Sequence, residues 1–227
     1  MAGQNRHLLA FRLDWASILV CVRAVSAPLE PLVFPVYPDE FRLQTARLLL
    51  RAPTLDDAPG LWPLMSDMRL TTFLAWDAHC SPQQTHCMLA ALADAQQAGR
   101  AFHWLVTRSD LIIGLVSLID VHRRHRCWTL DRAELAYWIG VPYQGLGYAT
   151  EAARAVVNFG FHNLMLHKVR VFHAADNPLS GRTIAKLGFR LVGEEKDAFE
   201  KDGAWHHLRH FELLVSEVSK IPVALTS

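Results

Sequence analysis

Charge of one sign, clustered cysteine and long apolar runs are three things this chain does without. Its 227 residues carry a formal net charge of +1, so no global field steers it to a polyanion or an anionic membrane, and direct nucleic-acid binding is not expected. The four cysteines, Cys21, Cys80, Cys87 and Cys127, form no Cys-x-x-Cys, which fits a reduced cytoplasmic inventory better than a disulfide framework. No apolar stretch approaches the roughly 20 residues that span a bilayer. The nearest imitation of a targeting segment is Trp15–Val22 followed by Ala24-Val25-Ser26-Ala27, and Arg12, Asp14 and Arg23 spoil it. A cytoplasmic protein with no membrane partner is expected. Internal repeats and low-complexity tracts are missing too.

Metal-ligand spacing is also thin. His79-Cys80 and His86-Cys87 recur at a seven-residue interval, which tempts a zinc reading if all four share a helix face. Pro82 marks the expected helix start and leaves His79 and Cys80 ahead of it. No metal site is expected.

What is present is a composition of 51% hydrophobic and 20% charged residues, enough for one well-buried core and short for two. Pro28, Pro31, Pro35 and Pro38 set residues 1–40 apart as an N-terminal extension, read either as a loosely packed arm or as a reading frame begun upstream of the true start. A single domain is expected over 41–218, with a tail over 219–227.

Strand patterns occur at Leu48–Ala52, His103–Thr107, Leu111–Asp120, Trp128–Ile139, Lys168–His173, Phe189–Phe199 and His206–Val215. Helices are expected over Leu55–Met68 behind a Thr54 N-cap, Pro82–Gln97 between Ser81 and Gly99, Ala149–Phe161, and Pro178–Leu187. Ser109-Asp110 suits a turn, and Asp202-Gly203 is a strong hairpin signal. The class is α+β.

The most telling stretch joins the strand Ala133–Gly140 to the helix through Gln144-Gly145-Leu146-Gly147-Tyr148-Ala149-Thr150-Glu151. A strand ending at a glycine-bearing turn that opens into a helix gathers amide groups with no internal partner at the positive end of the helix dipole, a natural phosphate site. Glycine lets backbone and ligand approach closely. Taken alone, the two glycines could equally make only a turn. A third glycine is missing where Thr150 stands, which excludes the dinucleotide fingerprint, and Gly-Lys-Ser/Thr of a P-loop is missing as well.

Gln144-x-x-Gly147-x-Ala149 instead resembles the pyrophosphate-binding motif Gln/Arg-x-x-Gly-x-Gly/Ala of the GNAT superfamily of N-acetyltransferases. Thr45-Ala46-Arg47-Leu48-Leu49-Leu50-Arg51, Thr54-Leu55-Asp56-Asp57-Ala58, Asp176-Asn177-Pro178-Leu179-Ser180 and Lys186-Leu187-Gly188-Phe189-Arg190 resemble, in order, further motifs of its ribosomal-protein alanine acetyltransferase subgroup. The resemblance covers Thr45 to Val215. It implies a mixed, mostly antiparallel seven-stranded sheet with a central splayed strand pair, flanked by helices.

The resemblance further implies acetyl-CoA as co-substrate, a primary amine as acceptor and direct transfer in a ternary complex. On it, the cofactor would meet Gln144, Gly145, Leu146, Gly147, Tyr148, Ala149 and Thr150. The amides of Trp138, Ile139 and Gly140 would pair with the pantetheine arm and polarise the thioester carbonyl. Glu134 resembles the general-base position; the alternative is a surface carboxylate paired with Arg132 or Arg126. Many members of the superfamily carry a tyrosine where Ile184 stands here; the ribosomal-protein subgroup lacks it as well and shows Asn-x-x-Ser instead, matched by Asn177 and Ser180. The resemblance thus implies Asn177 touching the cofactor and Ser180 as a candidate proton donor, with the identity of the acid left open. Asn177-Pro178 is also an ordinary helix start. Trp76, His79 and Trp104 resemble acceptor-lining positions, though core roles suit them equally. The run His122-Arg123-Arg124-His125-Arg126 reads as a solvated loop or, facing the cleft, as a site for an acidic acceptor. A protein N-terminus and a small-molecule amine both remain open as acceptor, alongside antibiotic or amino-acid-analogue detoxification and a non-catalytic acyl-CoA sensor. A homodimer remains open too.

Overall fold

The computed structural model describes residues 41–220. The expected extension over 1–40, with Cys21 and the Trp15–Val22 run, lies outside the described residues, as does all but the start of the 219–227 tail.

Eight strands form one sheet in the order β1-β2-β3-β4-β5-β6-β8-β7. They are β1 Leu43–Gln44, β2 Leu49–Arg51, β3 Phe102–Arg108, β4 Leu111–His125, β5 Trp128–Ile139, β6 Lys168–Ala174, β7 Arg190–Lys201 and β8 Ala204–Leu214. The helices are α1 Ala58–Met65, α2 Met68–Thr71, α3 Pro82–Gln97, α4 Tyr148–His162 and α5 Pro178–Lys186. Every neighbouring pair is antiparallel except β5 and β6, which run parallel. The strand beyond the expected seven is the two-residue β1, too short to leave a pattern in the sequence.

Local chemistry accounts for most boundaries. α3 begins at Pro82 with the Ser81 side chain accepting from the Gln84 amide, and Gly99 just past its end takes a left-handed φ of 65°. Ser109 and Asp110 both have positive φ (47° and 65°), as do Asp202 and Gly203 (52° and 78°); two such residues make the turn whose twist matches a hairpin. The expected helix over Leu55–Met68 is broken in the structure into a 3₁₀ turn Leu55–Asp57, then α1, then α2. Pro63 removes one amide inside α1, and Asp67 caps a new start by accepting from the Arg69 amide.

The run His122–Arg126 is not a loop. Its first four residues extend β4, and the turn to β5 falls at Arg126 and Cys127, where Arg126 has φ 55°. Register shifts between Ile119 and His122 and between His122 and Arg124 re-aim these side chains. Arg123 ends up beside Asp131 (3.3 Å) and the Leu164 carbonyl (2.7 Å), so it braces the hairpin.

The sheet is covered on both faces. On one, α4 lays Ala152, Ala153, Val156 and Val157 against Ala133, Leu135 and Ile139 of β5 and against Trp104 of β3. On the other, Leu61 and Met65 of α1 and Leu89 of α3 pack on Leu105, Leu115 and Trp138. Alternation along β5 therefore sends Glu134 and Trp138 toward the α1–α3 side and Tyr137 toward the α4–α5 side.

Candidate active site

The parallel pairing of β5 and β6 begins at Arg132↔Lys168 and ends at Glu134↔Arg170. Beyond it β5 continues to Ile139 and β6 to Ala174 without pairing to one another, which opens a gap in the middle of the sheet. Gly140 donates to the Ile113 carbonyl at 2.8 Å, with Ile139 opposite Gly114. In an antiparallel ladder that phase turns the Trp138 and Gly140 amides toward β4 and those of Tyr137 and Ile139 toward the gap. This corrects the expectation for Trp138 and Gly140, whose amides serve the ladder; only Ile139 of that trio presents an amide to the gap.

At the end of β5 the chain passes through a 3₁₀ turn, Val141–Tyr143, into Gln144. Gln144 Nε2 donates to the Ile139 carbonyl at 2.9 Å, so this side chain braces the turn. Gly145 and Gly147 follow with φ of 77° and 82°, a region open to glycine at little cost. The first intrahelical bond of α4 runs from the Glu151 amide to the Gly147 carbonyl, and among the described residues the Tyr148, Ala149 and Thr150 amides have no acceptor. A side-chain carbon at Gly145 would meet nothing within 4 Å, and one at Gly147 only Arg47 Nη2 at 3.5 Å. Leu146 is exposed, whereas Tyr148 is 4% exposed, so its ring belongs to the core and only its backbone faces outward.

The mouth of the helix is anchored from a distance. Glu151, in the first turn of α4, accepts from Thr45 Oγ1 (2.7 Å), the Arg47 amide (2.9 Å) and Arg47 Nε (2.7 Å). Arg47 also donates to the Leu146 carbonyl at 3.1 Å and lies 4.6 Å above the Tyr148 ring, with Arg108 5.4 Å from the same ring. The Thr45-x-Arg47 motif and the glycine loop, read apart in the sequence, are thus one structure. Nothing local in the sequence links them.

Glu134 lies where the pairing stops. Burial first, and then the like charge of Asp120, push its carboxyl above the ordinary carboxylate range, against the pull of Arg170 and His210. Arg170 is its ion-pair partner at 3.9 Å, beyond hydrogen-bond reach; Arg132 and Arg126, the partners considered from sequence, are not. On the same face the Trp76 ring meets Trp138 edge-on (6.3 Å) and His79 at a tilt (5.7 Å). His79 Nδ1 lies 2.9 Å from Thr85 Oγ1, and burial lowers its pKa. Trp104 is elsewhere: it is fully buried on the α4 side, its indole donating to the Phe41 carbonyl at 2.7 Å. Its expected place at an acceptor pocket is corrected to the core.

Across the gap, Asn177 Oδ1 accepts from the Ser180 amide at 3.1 Å as the N-cap of α5, with Pro178 at the first helical position. Ser180 Oγ lies 2.9 Å from the Tyr137 hydroxyl. Burial raises the Tyr137 pKa despite hydrogen bonds with Ser180 and Thr183, so the phenol stays protonated. Sequence reading assigned Tyr137 no role. Ile184, at the tyrosine position of many superfamily members, is fully buried. Among the described residues no cluster of His, Cys, Asp or Glu could hold a metal, and no helix is long and apolar enough to cross a membrane.

Residues 47–190 match the model of the acetyltransferase (GNAT) domain. The chain belongs to the GNAT acetyltransferases. It is 30% identical over 174 residues to the [ribosomal protein uS5]-alanine N-acetyltransferase of Escherichia coli strain K12, covering 72% of this chain and 86% of that one. The spermidine N(1)-acetyltransferase of the same strain is 34% identical over 94 residues, or 41% of this chain and 48% of that one. A RimL ribosomal alpha-N-protein acetyltransferase in complex with coenzyme A has the same fold, with a TM-score of 0.69 at 20% identity over 75% of this chain and 96% of that one. GNAT acetyltransferases take their acetyl group from acetyl-CoA. The residues here fit that co-substrate: open glycines and three free amides at a helix mouth suit a diphosphate, and a gap edged by backbone amides suits the amide-bearing arm behind it.

Proposed function

We propose that this GNAT acetyltransferase transfers acetyl to a primary amine, with a protein N-terminal α-amine as its acceptor. One observation carries the reading: Glu134, with its pKa raised, sits at the fork where β5 leaves β6, and the glycine loop lies at the far end of that strand. A base and a diphosphate cradle at two points of one strand are what transfer from a long thioester carrier needs.

On this reading the Tyr148–Thr150 amides, with Gly145 and Gly147, hold the diphosphate, and the Ile139 amide polarises the thioester carbonyl. Leu146 contributes backbone alone, Gln144 keeps the turn in shape, and Asn177 fixes the end of α5 beside the gap. Glu134 takes a proton from the acceptor amine, directly or through water; its raised pKa brings it nearer the working pH. Ser180 supplies a proton to the departing sulfur. With the Tyr137 hydroxyl as the donor of its 2.9 Å contact to Ser180 Oγ, the serine's own hydrogen is left free to point there. Trp76 and His79 line the acceptor side with Trp138.

The ribosomal-protein relative favours an N-terminal acceptor, since that likeness spans 86% of its chain against 48% for the spermidine enzyme. The reading is tested by measuring thiol release from acetyl-CoA over N-terminal peptides, free amino acids, polyamines and aminoglycosides. Turnover highest with peptides, and lost when their α-amine is blocked, is the expected result. Preference for an aminoglycoside or polyamine would replace the acceptor, and no release with any amine would leave an acyl-CoA binder.

A further inference from the structure

Lys201 ends β7 at the turn to β8, and its side chain reaches a segment distant in the chain. Its ammonium donates to the carbonyls of Thr71 (2.7 Å), Leu74 (2.8 Å) and Trp76 (3.2 Å), across 125 to 130 residues of chain. These are all three donors of a lysine. The side chain is 14% exposed, while the nearest carboxylate, Asp77, is 3.7 Å away and 95% exposed. A buried ammonium is costly unless fully hydrogen-bonded. Here the carbonyls of the last residue of α2 and of the segment after it, not a counter-charge, hold it.

The position matters because of the site beneath it. β7 is the last strand of the sheet, beyond β8 and β6, whereas the Trp76 segment packs on Trp138 of β5. Cross-strand pairing keeps Glu134 with Arg170, Phe172 with His210, Phe199 with His206 and Lys201 with Ala204, and paired residues share a face. Lys201 therefore reaches from the sheet edge over the face that bears Glu134 and meets the aromatic segment on the far side.

We propose that Lys201 is a positioning residue for the acceptor: by tying the β7–β8 hairpin to the Trp76 segment, it closes one end of the groove over Glu134 and sets its width. This rests on the acceptor side assigned above, and the cofactor side plays no part in it. A bulky amine fits only if the strut stands clear of its path, so the strut limits the size of the group that the acceptor carries behind its α-amine.

The test compares wild type with Lys201→Met, Lys201→Arg and Asp77→Asn, using acetyl-CoA and an alanine-initiated peptide. Lys201→Met should raise the peptide KM about tenfold while kcat and acetyl-CoA affinity stay near wild type, a loss of acceptor binding shared by ground and transition states. Lys201→Arg should recover part of that loss. Asp77→Asn should change nothing. Hydrogen exchange of the 72–79 amides is read on the same proteins, and should quicken in Lys201→Met. An unchanged peptide KM in folded Lys201→Met overturns the proposal, as does a matching loss in Asp77→Asn, which would make the ion pair the tie. If Lys201→Met does not fold, Lys201→Gln, shorter and without the three-donor ammonium, decides, with wild-type exchange and wild-type KM as the overturning result. A wild type that releases no thiol to the peptide refutes the acceptor reading, and the exchange rates then judge the strut alone: unaltered rates refute it.

Discussion

Glu151→Gln is the sharpest probe of how the helix mouth is held, because it keeps the side chain's shape and removes its charge. The carboxylate accepts from Thr45 Oγ1 and from the Arg47 amide and Nε, and lies 2.7 Å from Arg47 Nη2. Charge-assisted bonds contribute about 1.5–3 kcal/mol each when sheltered. Glu151 is 18% exposed but Arg47 is 46% exposed, so solvent screening reduces the sum strongly. Adding the favourable placement of an anion at a helix N-terminus, the loss is about 2 kcal/mol, or a fall in Tm of roughly 4–8 °C for a chain of this size. Burial by itself would raise the Glu151 pKa; the bonds from Thr45 and Arg47 outweigh it and hold the pKa below the ordinary value of 4.5. A depressed folded pKa means stability that is present above the unfolded pKa and lost as pH falls through the folded one. Thermal melts of both proteins across pH should show the difference at neutrality and its decay below 4.5. Equal Tm values at neutral pH, or a gap that persists undiminished in acid, would refute the anchor.

Other outcomes rest on the same geometry. Glu134→Gln should slow turnover at neutral pH and erase the acidic limb of the pH–rate profile with acetyl-CoA affinity unchanged; an intact profile would remove Glu134 from the reaction. Tyr137→Phe and Ser180→Ala should each lower kcat, and because the phenol acts through the serine, the first should add little in the background of the second. Fully additive losses would separate them. His103, 3% exposed and 2.8 Å from Ser117 Oγ, is driven by burial from 6.5 to about 4. A pKa lowered by folding means that, as pH falls from 6.5 toward 4, the unfolded chain takes up a proton the folded one refuses, withdrawing about 3 kcal/mol of stability. Urea melts over that range should show the loss in wild type and a flatter profile in His103→Leu.

The features legible in the sequence and those hidden from it divide by the range of the determining interaction. The glycine loop, the ends of α3 and the Asp202-Gly203 hairpin depend on residues within a few positions of each other, and the helix, strand and turn rules that govern them are local. Trp104 is ambiguous in sequence because Phe102 to Thr107 are all buried. A strand covered on both faces loses the alternation that would tell one side from the other. The charged end of β4 resembles a loop because Arg123, the half-buried cation among its exposed neighbours, is satisfied by Asp131 and the Leu164 carbonyl, partners that only the folded hairpin brings near. Glu151 with Arg47, and Lys201 with the Trp76 segment, are pairs more than 100 residues apart. Their residue types carry no mark of the partner. The Tyr137–Ser180 contact, 43 residues apart, is hidden in the same way, although the missing tyrosine at Ile184 shows that some other hydroxyl has to be sought.

The central claim is that free amides at the mouth of α4 grip the diphosphate of acetyl-CoA, and Gly147→Val tests it most directly. Gly147 has φ 82°, a conformation that a β-branched residue adopts only with strain of about 1–3 kcal/mol, so the substitution must re-aim the amides just beyond it. Calorimetric titration with acetyl-CoA should show affinity reduced about 100-fold or more in a variant that still melts cooperatively. A folded Gly147→Val that binds acetyl-CoA as wild type does would contradict the account.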